Sequence, residues 1–435
     1  MSTPFAEAFA TFAANGGGKP DWLAPVRQRA FARFAEVGIP TTRDEEWRFT
    51  PVAPLLEHPF APVSAAARPL AAAELAPFIF GHTEWPMLVF VDGRYREELS
   101  VLPELADGVT LGSVAEAVTR DHPLVREHLG RYAGPEATPF TALNLAFVRD
   151  GVLLHVPAGV TLAQPVHALF VSTGDTTDAA AHPRNLIVVD AGARASFIES
   201  YVTLAPGARY LTNTVTEMVL GPQAWMEHSR IQRESESAFH LGFTQVDQAR
   251  DSHYRSFTLS MGGAIARHNL HVQMNDSNVE SLLYGLYLGR GTQLVDNHTA
   301  IFHDHPHCNS WEVYKGILDD RSRAVFNGKV FVKPEAQKTD AKQTNRTLLL
   351  SDGAKIDTKP QLEIFADDVK CTHGATVGQL DELPLFYARS RGIPADAART
   401  LLTWAFAAEV IDEVAVAPVR EELGRLVHAR LTEGA

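Results

Sequence analysis

A chain of 435 residues exceeds one ordinary core and implies two or three domains or one elongated repeat body. Its 45% hydrophobic and 21% charged residues exclude a disordered or membrane-embedded class, and 39 basic against 52 acidic residues (net charge -13) argue against a phosphate-backbone partner. Cys308 and Cys371 are the whole thiol inventory, which excludes a disulfide scaffold and suits a reducing compartment.

The opening "MSTPFAEAFATFAANGGGKP" has neither the basic start of a secretion signal nor the Arg-rich face of a transit peptide. No apolar run approaches the roughly 18 to 20 residues of a membrane span. The expectation is a cytoplasmic protein with no membrane contact. "NGGGKP" reads as a flexible joint that leaves the first dozen residues as a short, loosely tethered helix. "PDWLAPVRQRAFARFAEVG" spaces Trp22, Leu23, Val26, Ala30, Phe31 and Phe34 as an amphipathic helix, with Pro20 suited to its first turn and Gly38 to its end. "DEEWRFTP" reads as a structural turn, and "MLVFVDGRYREEL" as a hairpin around Asp92-Gly93. Residues 1–140 are thus expected to form a helical and mixed region.

From about residue 140, short runs of Val, Leu, Phe and Thr alternate with turn clusters such as "VPAG" at 156, "VSTG" at 171, "VDAG" at 189 and "LAPG" at 204. Most turns down to "FADD" at 365 recur about every 15 residues, too short for a helical repeat. Such a series predicts a β-solenoid over 141–370, with a β-sandwich as the rival. Residues 371–435 return to helical texture: "LDELPLFYARSRG" stopped by Gly392, "IPADAARTLLTWAFAAEVIDEV" opening at Pro394, and "APVREELGRLVHARL". These helices are expected to cap the open solenoid end or to dock a partner.

In "DDVKCTHGAT", Cys371 and His373 stand at i and i+2, so a strand presents sulfur and imidazole on one face. Two donors begin a metal site and do not complete one, and no Cys-x-x-Cys supplies the rest. A buried cysteine beside a surface histidine accounts for the spacing equally. "NHTAIFHDHPHCNSW" carries His298, His303, His305, His307 and Cys308. An extended chain would align three of its imidazoles, but Pro306 favours a polar turn. Nucleophile-elbow, zinc-protease and phosphate-loop motifs are absent.

The stretches "GIPTTRDEEWRFTP", "RAVFNGKVFV", "AQKTDAKQTNRTLLLSDGAKIDTKPQLEIFADDVKCTHGATVGQLDE" and "LFYARSRGI" resemble the SufD branch of the SufB/SufD family of SUF iron-sulfur cluster assembly. The likeness runs almost unbroken from about residue 296 to 410. It implies a right-handed parallel β-helix flanked by N-terminal and C-terminal α-helical regions. It also implies a complex with a SufB-like paralogue at the last coils and two SufC-like ABC ATPases on the C-terminal helices, where Phe386, Arg391 and Trp404 are candidate contacts. His373, with Cys371, is then a metal donor sharing a transient iron-sulfur cluster or iron with the paralogue, and a reduced flavin in the complex stays open. The SufD branch is chosen because SufB-like chains carry an acidic segment where this one reads "DDVKCTHGAT", and because residues 332–350 contain no thiol. The chain is therefore expected to be a non-catalytic scaffold contributing to iron entry and cluster building. The alternatives are a homodimeric assembly intermediate and a β-helix carbohydrate-active enzyme, which would need paired carboxylates in a groove.

Overall fold

The computed structural model describes residues 4–17, 20–63 and 68–432. Its body is a parallel β-solenoid of two facing sheets joined coil after coil. One sheet runs in space from the strand Lys355–Ile364 back through Arg323–Val332, Leu294–His303, Ile265–Met274, Phe239–Gln248 and Tyr210–Leu220. The other runs from Lys370–Gly378 back through Asp340–Leu349, Asn309–Leu318, Glu280–Gly289, His253–Ser260 and Trp225–Arg233. Partners in the first sheet, Phe239↔Ile265, Ile265↔Leu294 and Leu294↔Arg323, step by 26, 29 and 29 residues. The sequence period near 15 is therefore half a coil: one strand and one corner.

Corners are built from residues that tolerate left-handed backbone. Gly192, Gln223, Asp251, Asn278, His307 and Lys338 all have positive φ and stack along one edge. The His307 N–H donates to Gln337 O (2.9 Å) and the Lys338 N–H to Asp368 O (2.7 Å), so each corner supports the next. Side chains alternate in and out along each strand. Inward positions such as Val246, Val272, Ile301 and Val330 stack in register and are all buried.

The interior also holds charge. The Glu199 carboxylate lies 3.2 Å from His228 and accepts from Tyr201 and Thr216, while Glu234 and His240 pair at 2.5 Å, all buried. Buried ions persist only when paired or hydrogen-bonded, and each of these carboxylates has such partners.

Helices pack on the outer faces of both sheets. Against the first sheet pack α1 (Pro4–Phe12), α2 (Ala24–Val37) and α3 (Pro139–Phe147), through Phe5, Phe12, Phe34 and Phe147 on Leu186, Val188, Leu211 and Leu241. Far from being loosely tethered, α1 is anchored by rings: Phe9 stacks on Phe31 at 4.1 Å and meets Phe147 edge-on at 5.6 Å. Of the expected "NGGGKP" joint, Asn15–Gly17 belong to a π-helical turn over Ala13–Gly17 that continues α1, and Gly18 and Lys19 lie outside the described residues. Helix α2 opens at Ala24 with Pro25, not Pro20, in its first turn, because residues 21–23 form a preceding turn.

The start of the solenoid is closed by its own chain. Strand Thr110–Ser113 pairs antiparallel with Val152–Val156, and the expected Asp92-Gly93 hairpin pairs Met87–Val91 with Arg94–Tyr95. Strand structure thus begins before residue 140, and α3 straddles that boundary. Glu217, wholly buried, accepts 2.9 Å hydrogen bonds from the backbone N–H groups of Gly130, Tyr132 and Ala133 and pairs at 2.9 Å with buried Arg184. Those bonds fasten the 130–133 loop to the first sheet.

Helices α4 (Glu382–Ser390), α5 (Ala395–Ile411) and α6 (Ala417–Thr432) follow the last strand. The expectation that they cap the open end fails. Helices α5 and α6 lie along the flank of the second sheet, burying Ala407, Val410, Val419 and Leu423 against Ile198, Ile231, Leu286 and Ile317. Their apolar stripe matches the apolar outer face of that sheet, so neither of them crosses the solenoid mouth. The last strand runs on to Gly378, so Cys371 and His373 belong to the solenoid and not to the helical segment.

Candidate functional site

The mouth of the solenoid is its unfinished end. Strands Lys355–Ile364 and Lys370–Gly378 each pair on one side only, leaving unpaired backbone groups along the other. Ile364, Phe365 and Val377 are exposed there, and every residue from Thr372 to Gly378 is exposed. Pro360 sits on one of these terminal strands, the position in a sheet that tolerates proline.

His373 occupies this edge as the last member of an inward-facing column. Leu283, Glu312, Gln343 and His373 follow one another in register on successive coils; the first three are buried and His373 is exposed. Cys371 ends the neighbouring inward column below Ser310 and Ala341. Sulfur and imidazole therefore share one face, as the i, i+2 spacing requires. Their surroundings differ: Cys371 is half-buried beside Val330, Val332, Ala336, Ala341 and Ala366, and burial pushes its thiol up. His373 stands open at the rim.

Beneath His373, Gln343 Nε2 donates to Glu312 Oε2 at 2.9 Å. The Glu312 carboxyl is pushed up to about 7 by burial, against the opposing hydrogen bonds of Thr299 and Gln343. Neither Glu312 nor Gln343 stands out in the sequence; only the coil register, about 30 residues per step, places them under the histidine. Inward positions carrying Glu and Gln in strands of otherwise alternating burial are the one signal available.

The histidine run is not a ligand set. His303 is buried, its Nε2 2.9 Å from Ser310 Oγ, and burial lowers it to about 4. His305 is exposed in the following turn, and His307 is the left-handed corner residue. Cys308 is buried, its thiol donating to Asp276 O at 3.3 Å. His298, near Glu46 and Asp296, belongs to the N-terminal seam. Among the described residues no three or more His, Cys, Asp or Glu side chains are grouped to hold a metal ion. A metal held at the rim would need donors from elsewhere.

A second bare surface lies on α4, none of whose residues is buried. Leu383 is 72% exposed, Phe386 69% and Tyr387 60%, with the Arg391 guanidinium 5.2 Å from the Tyr387 ring centre. Trp404, by contrast, is half-buried against α6, its ring 5.9 Å from that of His428. No described helix is long and apolar enough to cross a membrane.

The model for the SUF system FeS cluster assembly SufBD core domain matches residues 170–406, and that for the SufBD protein N-terminal region matches 16–168. An iron-sulfur cluster assembly SufBD family protein of Synechocystis is 35% identical over 94% of this chain and 91% of its own. The iron-sulfur cluster assembly protein SufD of Escherichia coli is 32% identical over 95% of this chain and 94% of its own. Protein ABCI7, chloroplastic, of Arabidopsis thaliana is 32% identical over 92% and 84%. The chain belongs to the SufB/SufD family of SUF iron-sulfur cluster assembly, on its SufD side.

Proposed function

We propose that this chain is a non-catalytic scaffold subunit whose open solenoid end joins a SufB-like paralogue, and that His373, with Cys371 beside it, contributes to an iron-entry and cluster-building site completed by that partner. The observation that carries the reading is the bare terminal coil: unpaired strand edges, exposed apolar residues and a column of inward side chains ending in an accessible imidazole. Iron is the cargo here. Imidazole binds it yet exchanges more readily than thiolate, which favours later release. The exposed Leu383, Phe386 and Tyr387 face of α4 is the proposed docking surface for a SufC-like ATPase, whose closure would strain the adjoining coils and open the seam. Family membership favours this assembly role over the carbohydrate-active reading.

The test is co-purification. Tagged wild-type chain should recover paralogue and ATPase together; Val377→Asp should lose the paralogue, and Phe386→Ala the ATPase. Recovery unchanged by Val377→Asp would place the interface elsewhere. The same bare edge also suits a second copy of this chain in isolation, a reading decided by the mass of the purified chain in solution.

A further inference from the structure

We propose that Gln343 is a positioning residue for His373, accepting the ring N–H that faces the interior so that the opposite nitrogen presents its lone pair at the open seam. The inference rests on His373 being a ligand. A neutral imidazole carries one N–H and one lone pair, and which nitrogen can bind a metal is set by the hydrogen bond that the other makes. Ligating histidines almost always donate that other N–H to a carboxylate or carbonyl.

At the rim one group has the right chemistry. Gln343 is 2% exposed, and its Oε1 has no hydrogen-bond partner in the structure, an orphaned acceptor in a buried wall. Its amide is held at the other end. Nε2 donates to Glu312 Oε2 at 2.9 Å, which turns the amide oxygen away from Glu312 and leaves it over. The side chain is also locked sterically. It fills the space opposite Gly328, where a Cβ would lie 1.5 Å from Nε2, so any other residue at 328 would evict it.

Gln343 and His373 are register partners on adjacent strands, both facing inward. Such strands lie about 4.8 Å apart, so an imidazole turned into the mouth comes within reach of the amide. The ring of His373 has no hydrogen-bond partner among the described residues and is free to turn. Glu312, Gln343 and His373 then form one chain of hydrogen bonds running from the sealed interior to the rim.

The experiment is anaerobic titration of ferrous iron alone into the assembly pulled down with tagged full-length chain. Gln343→Met keeps the length and removes the acceptor, and should weaken iron binding 10- to 100-fold. Gln343→Glu keeps an acceptor, with Glu312 in its neutral form donating to it, and should stay within about threefold of wild type. Melting temperature and partner recovery of both variants are measured alongside, and the Glu rescue separates positioning from loss of packing. If His373→Ala abolishes binding while Gln343→Met leaves it intact, or if the Met and Glu variants are weakened alike, the inference is overturned alone. If His373→Ala leaves iron binding unchanged, the ligand reading itself falls and takes the inference with it.

Discussion

The two ends of the solenoid solve the same problem in opposite ways. At the start, antiparallel strands close both sheets, rings of Phe9, Phe12, Phe31 and Phe147 interlock, and Glu217 has all its ligands supplied by this chain. At the mouth, two strand edges and an imidazole have no partner among the described residues, and Ile364, Phe365 and Val377 are exposed. The start is closed by the chain itself, and on the proposed function the mouth is left incomplete because completing it internally would remove the surface a partner needs. Natural sheets avoid bare edges unless something pairs with them.

Substitutions should divide along that line. Glu217→Ala strands buried Arg184 without its counter-charge and orphans three backbone N–H groups, that of Ala133 buried and those of Gly130 and Tyr132 partly so. It should cost about 3–5 kcal/mol or leave the chain insoluble, read as the denaturant midpoint. A loss under about 1 kcal/mol would mean that the 130–133 loop is not what seals this end. Phe147→Ala, in the middle of the ring cluster, should cost a similar ~3–5 kcal/mol.

Between the ends, Glu312 gives a pH signature. Its folded value, raised by burial to about 7, exceeds the ordinary unfolded value near 4.3, so the folded state binds the proton more tightly. The contribution is fully present below about pH 4 and is lost as pH rises through 7. Glu312→Gln should therefore melt like wild type or slightly below it near pH 4, and stabilise the chain at pH 8 by on the order of 3 kcal/mol. A difference between the two proteins that does not change with pH would contradict the buried carboxyl.

At the mouth the expected stability effects are the smallest. Val377→Asp and Phe386→Ala should each shift stability by less than about 0.5 kcal/mol, since both side chains meet water. Each should nonetheless cut partner recovery tenfold or more, and unchanged recovery would erase the contrast between the ends.

Much of this was legible in the chain itself. Half-coil spacing showed as recurring turns because corners select for Gly, Asp and Asn, and Cys371 beside His373 followed from strand alternation. What stayed hidden depends on other coils. His307 looked like a ligand candidate because a left-handed corner is a property of backbone stacking. The capping role expected of the last helices failed because periodicity shows that a helix has an apolar face and not which surface receives it; for α5 and α6 it is the flank. Gln343 and Glu312 are 30 and 61 residues before His373 in the chain, so no local pattern joins them to it.

The central claim is that the rim histidine serves a site shared with a partner. It is tested most directly by measuring iron and acid-labile sulfide in the assembly purified anaerobically with tagged wild-type chain and with His373→Ala. The account predicts equal recovery of paralogue and ATPase from both, with iron and sulfide only in the wild type. Equal iron and sulfide in the two would show that His373 is not a ligand and that clusters are built away from this mouth.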